Sequence, residues 1–378
     1  MNNFINNNVK LYKIAKLALK YKATSFNILT DLGKKKFFNQ KVPSFPKVIT
    51  LYVTNRCNLH CPMCLNANYR NNNQVSNEIN INTIKKILPE LIKYKPLVCI
   101  TGGEPLLNKN LFSIISLLSK NKIITSMTTN GFLLEKYTQQ IMNSGLEFLS
   151  ISLDHYDENK HDQGRGVKTT YSRLIKGLNK LNNIHRETPT NIKINTVIRY
   201  DNYMVLSKMY DFIEKLKIDE WSIQHYSFTN PSAQRGINKY LNKNNLGEYI
   251  VGNPIYTTSF LNVKQIRVLQ KQLTDIKRKK FFHKTKFSIK PEINDIFSYY
   301  QGKPPSTKSD CIWPFESVNI MDDSKVTLCL GNEVGNINDT TSIKEIWNSD
   351  RTLNFQKLIL KEKILPLCFR CCGLKFNF

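Results

Sequence analysis

The sequence predicts an α/β fold built on a parallel sheet, and three observations support this. Apolar or β-branched runs alternate with amphipathic segments from about residue 47 onward. The amphipathic segments carry apolar side chains at positions i, i+3, i+4 and i+7, the spacing of one helix face. The chain has 378 residues, which is enough for one large α/β domain and a smaller one.

Six strands and the helices between them follow in order. The predicted strands are residues 48–54, 98–101, 123–129, 148–153, 192–198 and 221–225. The clearest helix patterns lie at residues 84–91, 111–118 and 206–216. This alternation predicts helices outside a parallel sheet, with functional residues gathered at the carboxyl ends of the strands.

Four regions are expected along the chain. Residues 1–45 form a basic helical leader, whose apolar face we expect to pack on the main domain; a membrane surface is the alternative. Residues 46–230 form the core, and residues 231–305 a connecting or substrate region. Within it, the basic and aromatic cluster at 277–286 is interpreted as a solvated helix end, with a nucleic-acid contact as the alternative. Residues 306–378 form a small C-terminal domain.

The chain carries a net charge of +26, which allows an acidic partner such as RNA or anionic lipid. Lysines are spread along the whole chain rather than clustered, so a compositional origin is favoured and nucleic acid is not expected as a partner. No run of 18 apolar residues and no secretory signal is found, so we expect a cytoplasmic protein that is not integral to a membrane.

Cysteines give the most specific pattern. Cys57, Cys61 and Cys64 form a C-x3-C-x2-C motif just after the first predicted strand. Thiolates are the usual ligands of iron–sulfur clusters, and three of them leave one iron of a [4Fe–4S] cluster open to another ligand. A zinc site is the main alternative, but zinc knuckles pair one C-x2-C with a second half near by. Cys99 stands alone in an apolar run and is interpreted as a buried strand residue.

Polar motifs follow the later strands. Thr101-Gly102-Gly103-Glu104-Pro105 follows the second strand, Thr129-Asn130-Gly131 the third, and Ser152-Leu153-Asp154 ends the fourth. Residues 161–166 then read His-Asp-Gln-Gly-Arg-Gly. Glycines permit close backbone approach, and carboxylate and guanidinium groups suit ammonium and carboxylate partners.

Together with the cysteine triplet, these motifs resemble those of the radical S-adenosylmethionine (SAM) superfamily. The resemblance implies a partial (β/α)6 barrel, with a [4Fe–4S] cluster on Cys57, Cys61 and Cys64 that binds SAM at its open iron. It also implies SAM contacts from the following residues: Met63, Gly102, Gly103, Glu104, Asn130, Ser152, Asp154 and Arg165. Two positions depart from the usual pattern. Many relatives carry an aromatic residue in place of Met63 and a glycine in place of His155.

The C-terminal region carries a second group of cysteines. Cys311, Cys329, Cys368 and Cys371 have the spacing of a four-cysteine site, and Cys372 is the expected spare, although it could replace Cys371. The sequence around these cysteines resembles the shorter form of the SPASM/Twitch extension of radical SAM enzymes. One auxiliary [4Fe–4S] cluster is therefore expected, with a structural zinc site as the alternative.

The resemblance implies an oxidoreductase or maturase that cleaves SAM to a 5′-deoxyadenosyl radical and abstracts hydrogen from a substrate. A peptide or protein substrate is preferred, and a flavodoxin- or ferredoxin-like electron donor is expected. The alternatives are a small metabolite (sugar, cyclitol or cofactor precursor), an RNA substrate, and a non-catalytic electron-transfer protein. No catalytic side chain is assigned from the sequence.

Overall fold

The structure is a computed structural model, and it describes most of the chain beyond residue 41. The described residues are 42–64, 77–184, 190–229, 236, 239–243, 255–256, 260–293, 295–301, 309–329, 332–340, 342–363, 365 and 374–376. Apart from its last four residues, the leader predicted over residues 1–45 lies outside this set. The proposed limits of the four regions stay predictions.

The strands are short and most carry five residues or fewer. Their bounds are β1 Val48–Tyr52, β2 Leu97–Thr101, β3 Thr125–Thr129, β4 Phe148–Ser152, β5 Asn191–Val197, β6 Glu220–Gln224, β7 Phe228–Thr229, β8 Ile255–Tyr256, β9 Lys286–Lys290, β10 Ser309–Cys311, β11 Ser317–Ile320, β12 Lys325–Thr327, β13 Glu333–Asn336 and β14 Leu374–Phe376. Ten of them form one sheet in the order β13-β12-β11-β1-β2-β3-β4-β5-β6-β9. Two further pairs, β7 with β8 and β10 with β14, stand apart.

Helices connect the parallel strands. Their bounds are α1 Ile81–Tyr94, α2 Leu111–Lys120, α3 Leu134–Asn143, α4 Glu158–Arg165, α5 Thr170–Asn183, α6 Leu206–Lys215, α7 Val263–Lys279, α8 Ile296–Tyr300, α9 Trp313–Glu316, α10 Ile343–Trp347 and α11 Asp350–Glu362. No helix among the described residues is long and apolar enough to cross a membrane.

The predicted α/β fold is confirmed. All six predicted strands are present, and β1 to β6 lie side by side in sequence order and parallel. Parallel strands joined in sequence order by right-handed crossovers place their helices on one face of the sheet. The connecting helices therefore do not cover the opposite face, which we call the inner face.

The sheet extends beyond the six predicted strands. β9 adds in parallel to β6, and β11 adds in parallel to β1. The sequence does not predict β9, because every second residue of Lys-Phe-Ser-Ile-Lys is polar and the segment therefore forms no apolar run. The C-terminal region thus contributes β11, β12 and β13 to the same sheet as the core.

A half-buried carboxylate joins the C-terminal region to α1. Glu90 accepts hydrogen bonds from the Ser342 hydroxyl at 2.9 Å and from the backbone N–H of Ile343 at 2.7 Å. These groups lie at the N-terminus of α10, where a carboxylate meets unpaired N–H groups and a favourable helix dipole. Trp347 at the other end of α10 donates its indole N–H to the Pro43 carbonyl at 2.7 Å.

The apolar core lies between the sheet and its helices. On β5, Ile192, Ile194 and Thr196 are fully buried, whereas the alternate Lys193 and Asn195 are only half-buried. Trp221 donates its indole N–H to the Thr196 hydroxyl at 2.9 Å, and its ring lies 5.1 Å from that of Tyr210 on α6. The helix-covered face is thus the packed one.

The basic segment after α7 is solvated, as predicted. Phe281 and Phe282 are 79% and 87% exposed, and Lys277, Lys280 and Lys284 beside them are also exposed.

The alternation on β5 predicts unequal effects of two neighbouring substitutions. Ile194→Ala should lower the free energy of unfolding by about 2–4 kcal/mol, because it leaves a cavity under the helices. Asn195→Ala on the opposite face should cost less than about 1 kcal/mol, since that side chain is half-buried and polar. Urea denaturation of both variants measures this, and equal losses would contradict the assignment of the two faces.

Candidate active site

The cysteine loop follows β1 at the carboxyl edge of the sheet. Cys57, Cys61 and Cys64 are each half-buried there, and the Cys64 N–H donates to the Cys61 carbonyl at 3.1 Å. The His60 N–H donates to the Arg165 carbonyl at 3.2 Å, and the Cys61 thiol donates to the same oxygen at 3.6 Å. The backbone carbonyl of Arg165, the last residue of α4, therefore helps to hold the loop in place.

Gly166 makes that support possible. Its φ is +73°, and a Cβ there would lie 2.5 Å from the His60 carbonyl oxygen. A side chain at this position would push the end of α4 away from the cysteine loop. The final glycine of the 161–166 motif is thus explained by a backbone contact.

Gly102 and Gly103 bring the end of β2 directly onto the chain that leads into the cysteine loop. Two backbone hydrogen bonds join these segments: the Gly103 N–H donates to the Thr54 carbonyl and the Glu104 N–H to the Arg56 carbonyl, both at 2.8 Å. A Cβ on Gly102 would lie 2.4 Å from the Thr54 oxygen, and one on Gly103 would lie 2.0 Å from the Arg56 oxygen. Only glycine permits this approach.

Glu104 is fully buried and joins two of the predicted motifs. Its carboxylate accepts from the Thr129 hydroxyl at 2.7 Å, the Asn130 N–H at 2.8 Å and the Leu106 N–H at 3.2 Å. Burial raises the pKa of this carboxyl to about 7, and these three hydrogen bonds oppose the rise. A carboxylate has about four acceptor sites, so one remains for an ammonium group.

Asn130 carries the connection on to the first cysteine. Its side-chain N–H donates to the Asn58 side-chain oxygen at 2.9 Å and to the Cys57 sulfur at 3.9 Å. Its own side-chain oxygen accepts from the Phe132 N–H at 2.9 Å, which fixes the amide orientation. The structure thus places Asn130 between Glu104 and Cys57.

Asp154 lies at the centre of a buried ionic cluster after β4. Its carboxylate is 2.7 Å from the Arg165 guanidinium and 3.6 Å from that of Arg199. The other carboxylate oxygen accepts from the Val197 N–H at 2.9 Å, and the Asp154 N–H donates to the His161 ring at 3.3 Å. The Nε of Arg165 is buried with no hydrogen-bond partner among the described residues, so a donor remains for a carboxylate ligand.

Arg199 is the main residue that the sequence reasoning missed. It also binds Asp201 and donates to the Lys160 carbonyl at 3.2 Å, so it ties the end of β5 to α4. A Cβ on Gly164 would lie 1.4 Å from the Arg199 guanidinium, which explains a second glycine of the 161–166 motif. A polar residue just after a predicted strand was the available signal, as at β2, β3 and β4.

Arg56 was missed as well. Its guanidinium binds Glu78 and donates to the Leu107 carbonyl at 2.6 Å, so it clamps the start of the cysteine loop to the segment after Glu104. Its position directly before Cys57, just after the first predicted strand, was the available signal.

The remaining predicted SAM contacts lie near this edge. Ser152 is the half-buried last residue of β4, and Met63 is half-buried within the cysteine loop. His155 is buried, and its ring accepts from the Asp157 N–H at 2.8 Å, so it shapes the turn that enters α4. The structure brings together Glu104, Asn130 and the cysteine loop in direct contact, and Asp154 with Arg165.

Only part of the auxiliary site falls within the described residues. Cys311 ends β10 and Cys329 follows β12, both half-buried. Cys368, Cys371 and Cys372 lie outside the described residues, so the four-cysteine ligand set stays a prediction.

The cysteine loop offers three thiols, the ligand type of an iron–sulfur cluster. Within the described residues, no three His, Cys, Asp or Glu side chains gather as ligands of a single metal ion. In a [4Fe–4S] cluster each cysteine binds a different iron, so its ligands stand farther apart than those of a zinc ion. Cys57, Cys61 and Cys64, on one half-buried loop, fit the cluster.

Comparison with known families decides the identity. The model of the radical SAM superfamily matches residues 51–213, and that of the SPASM iron–sulfur cluster-binding domain matches residues 311–372. Residues 51–213 form a radical SAM domain. A radical SAM domain joined to a SPASM domain implies a SAM-binding [4Fe–4S] cluster and an auxiliary cluster.

Curated relatives of this radical SAM protein differ in activity. A probable GTP 3′,8-cyclase of Methanosarcina mazei is 33% identical over 174 residues, covering 45% of this chain and 51% of that protein. An AdoMet-dependent heme synthase of Methanosarcina barkeri is 26% identical over 173 residues, covering 45% of this chain and 48% of that protein. The match thus spans about half the length of each relative.

Solved structures share the fold over most of the chain. Streptococcus suis SuiB bound to S-adenosylmethionine has a TM-score of 0.60 at 21% identity, covering 87% of this chain and 73% of that one. The anSMEcpe protein with AdoMet and the Kp18Cys peptide has a TM-score of 0.57 at 17% identity, covering 87% and 92%. The likeness confirms the radical SAM fold.

Gly103→Ala should disrupt the cysteine loop, because its Cβ would meet the Arg56 backbone rather than a movable side chain. We expect a loss of stability of about 2 kcal/mol or more and a lower iron content after anaerobic reconstitution. Gly236→Ala is the control, since no described atom lies within 4 Å of its added Cβ. Unfolding curves and iron assays that left both variants like the wild type would contradict the contact.

Glu104 should make stability depend on pH. Its pKa is about 7 when folded and close to the ordinary value of 4.5 when unfolded, so the folded state holds the proton more tightly. Its contribution is greatest below about pH 4.5 and falls by about 3 kcal/mol as the pH rises to 7. Relative to the wild type, Glu104→Gln should therefore become less destabilising between pH 5 and pH 8. Denaturation of the cluster-free protein measures this, and a constant difference would contradict it.

Proposed function

We propose that this protein is a radical SAM enzyme that modifies a peptide or protein oxidatively, as a maturase. The observation that carries the SAM chemistry is the chain of contacts from the buried Glu104 through Asn130 to Cys57. It joins an incomplete cluster-ligand set to an acceptor for the SAM amino group. The cytoplasm is the proposed compartment, since cluster ligands must be reduced thiolates.

The proposed mechanism assigns separate tasks to the residues at the carboxyl edge. When bound, the cluster and SAM supply a 5′-deoxyadenosyl radical that abstracts hydrogen from the substrate. Cys57, Cys61 and Cys64 would hold the cluster, and Glu104 would accept from the SAM ammonium group. The free Nε of Arg165 would donate to the SAM carboxylate, while Asp154 holds the guanidinium in place. Ser152 and Met63 would contact the ribose and adenine.

The peptide substrate is supported by the likeness to proteins solved with peptides. SuiB was solved bound to precursor peptide SuiA, with a TM-score of 0.61 over 88% of this chain. The anSMEcpe protein was solved with the Cp18Cys peptide, with a TM-score of 0.56 over 86% of this chain. The expected electron donor is a flavodoxin- or ferredoxin-like protein.

A small metabolite is the second candidate substrate. The relatives named GTP 3′,8-cyclase and AdoMet-dependent heme synthase support it, although the matches cover 45% of this chain. In that case the oxidised compound would be a cofactor precursor or a similar small molecule.

Anaerobically reconstituted protein given SAM and a strong reductant should form 5′-deoxyadenosine, measured by liquid chromatography. Alanine at Cys57, Cys61 and Cys64 should abolish this product, because the cluster loses its ligands. Cys372→Ala, which removes the predicted spare thiol, is the matched control and should retain it. A wild-type protein with a reducible cluster but no 5′-deoxyadenosine would contradict the proposal.

A further inference from the structure

The inner face of the sheet is polar along its length. Its middle positions alternate with the buried apolar ones and are as follows: Thr50, Cys99, Ser126, Ser150, Lys193, Ser222 and Ser288. The helix-covered face between them is apolar, as Ile49, Ile100 and Ile194 show at 1% exposure or less. A sheet face lined by hydroxyl, thiol and ammonium groups does not form a dry core, so it borders water or a ligand.

Two lysines bring positive charge to this face. Lys193 on β5 pairs in register with Ser150 on β4 and with Glu220 on β6. Lys290 is the last residue of β9 and pairs in register with Gln224. Both point away from the helices, because Trp221 and Phe287, which alternate with the polar positions on β6 and β9, pack together at 5.6 Å on the helix side.

Among the described residues, Glu220 is the carboxylate that opposes the charge of Lys193. Glu220 lies beside Lys193 and accepts from the Ser288 hydroxyl at 2.9 Å. Neither Lys193 nor Lys290 has an ion-pair partner within 4.0 Å among the residues that the structure describes. The inner face therefore holds an excess positive charge, with Lys193 half-buried and Lys290 exposed.

Cys99, Lys193 and Lys290 lie on the same face of the sheet, and the charges of both lysines act on Cys99. Burial lowers the pKa of Lys193, Glu220 opposes this, and the charge of Lys290 lowers it further. Burial raises the pKa of Cys99, while the hydrogen bond with Ser126 and the charges of Lys193 and Lys290 oppose the rise. Cys99 is thus half-buried on the polar face, and not the buried apolar strand residue that the sequence suggested.

We propose that Lys193 and Lys290 form an anion-binding subsite on the inner face, which takes a carboxylate or phosphate group of the substrate. The inference that this anion belongs to the substrate rests on the proposed function. Lys193 is half-buried and has no ion-pair partner among the described residues, so a charged ligand gains more there than at a surface lysine, where solvent screens the charge; the exposed Lys290 adds a second positive charge.

Lys193 lies nearer the amino ends of the strands than the residues assigned to SAM, whereas Lys290 ends β9. Asn195 is in register with Ser152 at the carboxyl end of β4, and Lys193 is two residues deeper. Two residues of a strand span about 7 Å. A substrate held by its anionic group at Lys193 and Lys290 would extend toward the strand ends, where the SAM residues lie. The lysines would then select an acidic substrate and set how deeply it enters.

Cys99 offers a direct probe of the local charge. The cluster-loaded enzyme is alkylated under anaerobic conditions with iodoacetate, an anion, and with iodoacetamide, its neutral counterpart. Mass spectrometry of the peptide that contains Cys99 gives both rates, and the ratio is divided by that of a free cysteine peptide. We expect this normalised ratio to be about 10, because a cationic cleft concentrates anions.

Matched variants assign the effect. Lys193→Gln with Lys290→Gln should bring the ratio close to 1, whereas Lys85→Gln with Lys86→Gln, a charge loss of the same size on exposed positions of α1, should leave it unchanged. Inorganic phosphate or N-acetylglutamate should slow the alkylation in the wild type and not in the first double variant. Which of the two protects better distinguishes a phosphate site from a carboxylate site.

Three results would overturn the proposal: a normalised ratio near 1 in the wild type, a raised ratio that survives in Lys193→Gln with Lys290→Gln, or no alkylation of Cys99 by either reagent. Circular dichroism melting of each variant confirms that it is folded. The experiment uses neither SAM nor turnover, so its failure leaves the SAM chemistry standing, and a failure to cleave SAM leaves the anion subsite standing.

Discussion

The close contact between two backbone segments is the constraint on which the rest of the site depends. Residues 102–104 lie against residues 54–56, and hydrogen bonds of 2.8 Å join the Gly103 and Glu104 N–H groups to carbonyls of the facing segment. Because no side chain fits between them, the two glycines are required. This contact sets the start of the cysteine loop and turns Glu104 inward, where it meets Thr129 and Asn130.

A buried ionic cluster supports the other side of the loop. Asp154 faces two arginines, and Asp201 supplies a second carboxylate to Arg199, so the buried charges are nearly balanced. Paired charges of this kind add little net stability but are costly to break, which favours a single arrangement. The cluster fixes α4, whose last carbonyl receives the His60 N–H and the Cys61 thiol. The three thiols are thus held between two rigid supports.

The two faces of the sheet divide stability from function. The helix-covered face carries the apolar core, and the inner face carries hydroxyl groups, Cys99 and two lysines. Since the radical chemistry of the superfamily needs substrate beside SAM, the polar face is the natural place for the substrate. In the anion subsite that we propose, the two lysines of this face would select an acidic substrate, a property that the shared motifs do not encode.

The sequence by itself determined the fold class, the six central strands and the motifs at their ends, because strand and helix periodicity and the cysteine spacing are local patterns. Tertiary structure alone decided that β9 and β11 extend the sheet, that Arg199 joins Asp154, and that Lys193 and Lys290 share a sheet face with Cys99. A period of two shows that residues share a face, but it does not show which strands are neighbours or what lies opposite. Those relations come from packing between segments far apart in the chain, so no local sequence pattern contains them.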